Sequence, residues 1–228
     1  METPPLVWTQ EEKAFNLEES LKLLGKELGL KKKKPIPLPP NYEIIANLAN
    51  KYTDPRDWLT YSWLYLTGQR ISEALQTRRE HVIYRENGGR PIFVVDSITL
   101  KNRSAPRRNI PVPLHGLEKD WATAVWESIK DLRPDVYIIP FTRQQARNHL
   151  AKATFICEQI QPQTRERFDA FMPMYPHFLR HCRATHLVAE HDFDNIMLMQ
   201  HFGWASSTMP NVYAAANWRR LAKGFVHP

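Results

Sequence analysis

The chain has few of the features that would place it outside the cytosol or make it depend on a metal. It has only two cysteines, Cys157 and Cys182, in 228 residues. They have no metal-ligand spacing and make no disulfide framework, so a reducing cytoplasm is the expected compartment, with Cys182 a packed thiol. No apolar run reaches the length that spans a bilayer. Met1-Glu2-Thr3-Pro4-Pro5 is followed by no apolar stretch, so no signal peptide is expected. There is no internal repeat, no G-x-x-x-x-G-K-[ST] phosphate loop, and no Asp/Glu cluster for paired magnesium ions. No cofactor is therefore expected.

What is present is an ordinary globular composition, 43% hydrophobic and 24% charged, with a formal net charge of +7. A pI of about 9.4 favours a polyanionic partner, since neutralising phosphates releases counterions. Charge alone leaves open the alternative of a basic protein with no acidic ligand.

Residues 9–30 read as an amphipathic helix, with Leu17, Leu21, Leu24 and Leu28 at helical spacing. Lys31, Lys32, Lys33 and Lys34 follow, then a proline-rich stretch. Like charges repel and prolines stiffen, so this reads as a linker, or as a segment that tracks a phosphate backbone. The expected organisation is residues 1–35 as helix and linker, and 36–228 as one domain. Helices are predicted over 42–51 and 55–66, with a break at Thr67-Gly68 and a new helix near Gln69. Strands are predicted within 81–113, turning at Asn87-Gly88-Gly89, and Ile110-Pro111-Val112-Pro113 reads as an edge. From residue 117 onward the pattern is mostly helical. The fold class is mainly α with a small antiparallel sheet.

Four segments carry polar chemistry. Arg70 follows the helix break, where a guanidinium and backbone N–H groups can face an anion. Glu73 lies one turn on, and the alternative is a surface ion pair of little value. The segment Lys101 to Pro111 reads as a basic hairpin tip, either entering a groove or simply solvated. Pro176 suits a helix start, which sets His177 and Arg180 on one face. His177, His181 and His186 cluster, but no Cys or carboxylate completes a metal set. Last, Phe202-Gly203-Trp204 and a polar turn lead to Tyr213, a residue type that most often only packs.

In this order the segments resemble the tyrosine recombinase family, which includes phage and archaeal integrases. The family reads T-G-x-R-x-S-E-x-L, a hairpin lysine, H-x-L-R-H-x-x-A-T-x-L, then L-G-H or L-G-W, and a tyrosine. Here stand Thr67-Gly68-Gln69-Arg70-Ile71-Ser72-Glu73-Ala74-Leu75, Lys101, and His177-Phe178-Leu179-Arg180-His181-Cys182-Arg183-Ala184-Thr185-His186-Leu187. Phe202-Gly203-Trp204 and Tyr213 follow. The resemblance covers about residues 36–225, and all segments matching in order is far more specific than any one alone.

The resemblance implies a site-specific recombinase that cuts and rejoins DNA. It implies that Arg70 and Arg180 grip the scissile phosphate and Lys101 protonates the leaving 5′-oxygen. His177 would assist proton transfer, Trp204 would pack and hydrogen-bond near the phosphate, and Tyr213 would form a 3′-phosphotyrosyl bond. Glu73 and His181 match support positions. The implied partner is double-stranded DNA with a specific site, bound by a homo-oligomer, a dimer or tetramer, with no membrane involved. Lys31, Lys32, Lys33, Lys34, Arg103, Arg107 and Arg108 are the expected DNA contacts, and Arg103, Arg107 or Arg108 compete with Lys101 for its role. Only about 35 residues precede the linker, fewer than the family's usual separate DNA-binding domain needs. Trp218, Leu221 and Phe225 form a helical tail, expected to pack either on its own core or on a neighbouring protomer. The competing functions are a type IB topoisomerase and a non-catalytic DNA-binding protein of recombinase descent.

Overall fold

The computed structural model describes residues 41–100, 107–151 and 174–213. All of these belong to one compact unit, Pro37–Pro228. The helix expected over 9–30, the linker lysines Lys31 to Lys34, Lys101, Arg103, Cys157 and the tail after Tyr213 lie outside the described residues.

Three helices open the described chain: α1 (Tyr42–Ala49), α2 (Pro55–Thr67) and α3 (Ile71–Ala74). Asp54 caps α2 by accepting from the Arg56 N–H at 2.8 Å, and Pro55 fills the first helical position. Gly68 ends α2 with a φ of +60°, the left-handed conformation that closes a helix. The helix expected near Gln69 is only a single turn, α3, and starts two residues after it. Gln69 is fully buried, accepting from Trp63 Nε1 at 2.8 Å and donating to Thr77 Oγ1 at 3.0 Å and Ser97 Oγ at 2.8 Å.

The sheet is β1 (Val82–Asn87), β2 (Arg90–Ile98) and β3 (Arg107–Pro113), antiparallel throughout, in the order β1-β2-β3. Asn87 pairs with Arg90 across a two-residue turn, and Gly88 and Gly89 both take positive φ. Such a turn matches the strands' right-handed twist. β3 is an outer strand of the sheet, which is where Pro111 and Pro113 are tolerated.

Five helices complete the described fold: α4 (Lys119–Ile129), α5 (Arg143–Ala151), α6 (Pro176–His191), α7 (Asn195–Phe202) and α8 (Thr208–Asn211). The mainly helical class with a small antiparallel sheet is therefore as read from the sequence. α6 is buried from Phe178 through Ala189, the pattern of a helix enclosed on all sides. Its core face includes Phe178, Leu179 and Cys182, packed in a cluster with Tyr65, Phe93 and Ile129. Burial pushes the Cys182 thiol well up, so it is an inert packed group. Farther along, Leu187 and Val188 meet Phe202, Trp204 and Tyr213 in a second cluster. Arg183 and Glu118, both nearly unexposed, form an ion pair beneath α6.

Candidate nucleic-acid cleavage site

The helix break at Gly68 and the start of α6 place their polar residues around one pocket. It encloses about 280 Å³ and is lined by Gln69, Arg70, Leu100, Arg143, His177 and Arg180 among others. Arg70 and Arg180, far apart in the chain, thus line one pocket, and His177 joins them from the first turn of α6.

Arg180 is held in place by the backbone of two other elements. Its Nη1 donates to the Gly68 carbonyl at 2.6 Å and its Nη2 to the Phe202 carbonyl at 2.8 Å. Its guanidinium also lies 4.7 Å from the Phe202 ring centroid, a cation–π contact. Burial, then the charge of Arg70, pushes its pKa down to about 9, so it remains charged at neutral pH. Gly68 is required by space as well as by conformation. A Cβ there would stand 2.5 Å from Phe202 Cε1, so the close approach that delivers this carbonyl to Arg180 excludes any larger residue.

Arg70 is partly exposed and faces the pocket, while its Nη1 donates to Glu73 Oε1 at 2.7 Å. Glu73 is unexposed and also accepts from the Arg70 backbone N–H at 3.0 Å. Burial raises its pKa, but the hydrogen bond and charge of Arg108, with the Arg70 contacts, hold it below the usual carboxylate value. The pair is therefore not a solvated surface bridge.

Tyr213 is 4% exposed and is not among the residues lining the pocket. Its hydroxyl stands 2.6 Å from His181 Nδ1. Its ring stacks on Trp204 at 5.6 Å between centroids and 5° between planes. Burial, opposed by the Arg180 charge, pushes the Tyr213 pKa up to about 12. Burial and the Arg180 charge push His181 down. A neutral imidazole thus faces a neutral phenol, and the phenol is the donor in the tautomer that leaves Nδ1 unprotonated. His177 and His181 lie edge to face, 4.5 Å between centroids. His186 turns elsewhere, its Nδ1 at 3.0 Å from the Tyr65 hydroxyl. Among the described residues no group of three or more His, Cys, Asp or Glu could hold a metal ion.

One arginine of the hairpin departs from its expected surface position. Arg108 is 9% exposed, and its fork is consumed inside the protein. Its Nε donates to the His201 carbonyl at 2.8 Å, Nη1 to Thr99 Oγ1 at 3.2 Å and Nη2 to Glu73 Oε2 at 2.9 Å. The alternation of β3 turns Arg108 inward beside Ile110 and Val112, where its donors go to other parts of the protein. Arg107, on the opposite face, is exposed but paired with Asp96 at 2.7 Å. Arg143 was not singled out by sequence, yet it lines the pocket from the first turn of α5. The signal available was a helix start, Thr142 to Gln145, whose capping bonds of 2.9 and 3.2 Å fix the turn that aims it.

Comparison with solved structures gives the same architecture. A XerH site-specific recombinase bound to palindromic difH substrate, in a post-cleavage complex, matches at 17% identity with a TM-score of 0.59, covering 86% of this chain and 55% of that one. The chain therefore spans little more than half of that protein. A XerA recombinase matches at 15% identity and a TM-score of 0.52, covering 97% of this chain and 78% of that one. At such identities the likeness establishes the fold. Comparison with curated proteins gives no match. The family model described as the phage integrase family matches residues 41–220, and with most of its length so matched, this chain belongs to the phage integrase family.

Proposed function

We propose that the protein is a site-specific DNA recombinase that cleaves and rejoins strands through Tyr213. The observation that carries this reading is the convergence of Arg70, His177 and Arg180 on one pocket, next to a tyrosine hydroxyl already hydrogen-bonded to a base. A phosphodiester repels nucleophiles, so its cleavage calls for concentrated positive charge and an aligned attacker. Arg180 spends two donors on backbone carbonyls and keeps its remaining N–H groups for a phosphate oxygen. Arg70 supplies the second fork from the opposite wall.

In the reaction, the Tyr213 oxygen attacks phosphorus and the bond to the 5′-oxygen breaks. The phenolic proton passes to His177, which lines the pocket beside Arg180, the role the family resemblance implies for it. The leaving oxygen takes a proton from Lys101, as the family resemblance implies. The 3′-phosphotyrosyl ester keeps the bond energy, so a second 5′-hydroxyl reverses the step without ATP or metal. Tyr213 reaches a phosphate in the pocket only after leaving His181. The partner on this reading is double-stranded DNA with a defined site, held by a dimer or tetramer in the cytoplasm. Residues 1–35 serve as helix and basic linker, and 36–228 as the catalytic domain.

The test is a denaturing gel after incubation with supercoiled plasmid or suicide duplexes bearing candidate sites. A covalent protein–DNA adduct is expected from the wild type and not from Tyr213→Phe. Binding without any adduct would refute cleavage, and site-independent relaxation of plasmid would assign a topoisomerase instead.

A further inference from the structure

We infer that Arg108 is a positioning residue of the phosphate pocket, one that engages the buried charge of Glu73 so that Arg70 stays available to the phosphate. The inference rests on the reading just given. Glu73 is fully buried and touches two arginines, Arg70 through Oε1 and Arg108 through Oε2. One carboxylate between two guanidinium groups leaves a net positive charge. Arg108 has only 6% of its side chain exposed and does not line this pocket, whereas Arg70 has 20% exposed and lines it. The excess charge is therefore presented at Arg70. Without Arg108, the same carboxylate would face Arg70 alone, cancel its charge and draw its fork away from the pocket.

Arg108 also reaches the opposite wall. It holds the His201 carbonyl, while Arg180 holds the next carbonyl, that of Phe202. The two arginines thus fix consecutive carbonyls at the C-terminal end of α7, where a helix end is partially negative. Gly203 follows, and a Cβ on it would lie 2.9 Å from Thr99 Cγ2 and 3.2 Å from Arg108 Nη1. Trp204 leaves that tight turn to stack on Tyr213. One buried side chain from β3 therefore sets both the Arg70 wall and the turn under the tyrosine.

The experiment titrates inorganic phosphate into the full chain, reading the His177 ring and Arg180 Nε signals by NMR, alongside adduct formation on DNA. Arg108→Gln is expected to bind phosphate about tenfold more weakly, a change of about 1.4 kcal/mol, and to form adduct more slowly. Adding Glu73→Gln to it removes the uncompensated charge and is expected to restore phosphate affinity, a rescue that a purely packing role would not give. Arg108→Lys keeps the charge and is expected to hold phosphate as the wild type does, which serves if Arg108→Gln does not fold. Unchanged affinity in Arg108→Gln overturns the inference, as does a loss that Glu73→Gln fails to rescue or that Arg108→Lys shares in full. If the wild type forms no adduct on any DNA, the recombinase reading falls, and the phosphate affinities still decide the role of Arg108.

Discussion

Replacing Gly68 with alanine should disturb stability and site together, and a matched control separates the causes. Gly68 has a φ of +60°, where a side chain with a Cβ costs about 1–2 kcal/mol. The added Cβ would also stand 2.5 Å from Phe202 Cε1 and 3.3 Å from Arg183 Cγ. Phe202 is fully buried and stacked on Trp204, so it has no free space to retreat into. Overpacking of this kind costs about 1–3 kcal/mol. The two costs together come to about 2–5 kcal/mol, and at ~2–4 °C per kcal/mol for a domain of this size Tm should fall by roughly 4–20 °C. Gly88 is the control, with a φ of +57° and nothing within 4 Å of the place a Cβ would take. Gly88→Ala should lose only the backbone share, about 1–2 kcal/mol. Thermal and urea unfolding of both variants give the comparison. Equal losses would refute the argument that close approach to Phe202 is what demands glycine. Since the Gly68 carbonyl holds Arg180, Gly68→Ala should also slow adduct formation at temperatures where the variant is folded, and Gly88→Ala should not.

Four further outcomes are expected. Arg180→Ala or Arg70→Ala should raise the cleavage barrier by on the order of 3 kcal/mol with DNA binding largely intact; quantifying adduct against gel-shift affinity checks this, and full cleavage in either would remove it from the phosphate grip. Lys101→Ala should slow cleavage more than Arg103→Ala, and the reverse order in single-turnover assays would move the general acid. Glu118→Gln should destabilise by about 3–5 kcal/mol, because it strands the buried Arg183 charge; a urea midpoint within error of wild type would contradict this. For Tyr213, the folded pKa of about 12 exceeds the ordinary 10.0, so its contribution is present below pH 10 and is lost as pH rises towards 12. Tyr213→Phe should therefore flatten the stability-against-pH curve in that window, and an unchanged alkaline limb would sink the assignment.

The helices at 42–49 and 55–67 and the glycine hairpin were legible because period, caps and turn residues act locally. That Arg70, His177 and Arg180 share a pocket was foreshadowed by spaced motifs tied to a helix start or a turn, whereas Tyr213 was singled out only by the family resemblance and stands outside the pocket lining. What the sequence concealed depends on contacts between distant segments. Arg108 looks like one more charge of a basic hairpin until strand alternation and the buried Glu73 turn it inward. Arg143 has no motif, and only the packing of α5 beside α6 brings it to the pocket. The hydrogen bond between Tyr213 and His181 joins residues 32 apart in the chain, which neither element's periodicity specifies.

Helix α6 carries His177, Arg180 and His181 on the same turns that place Phe178, Leu179 and Cys182 in the core. Such a helix has no free energy of local opening separate from that of the whole domain. The phosphate grip should then be all-or-none: amide protons of α6 should exchange only through global unfolding, and heat should end phosphate binding at the temperature where the core melts. The Tyr213–His181 contact, which lies outside the pocket lining, is not bound by that constraint.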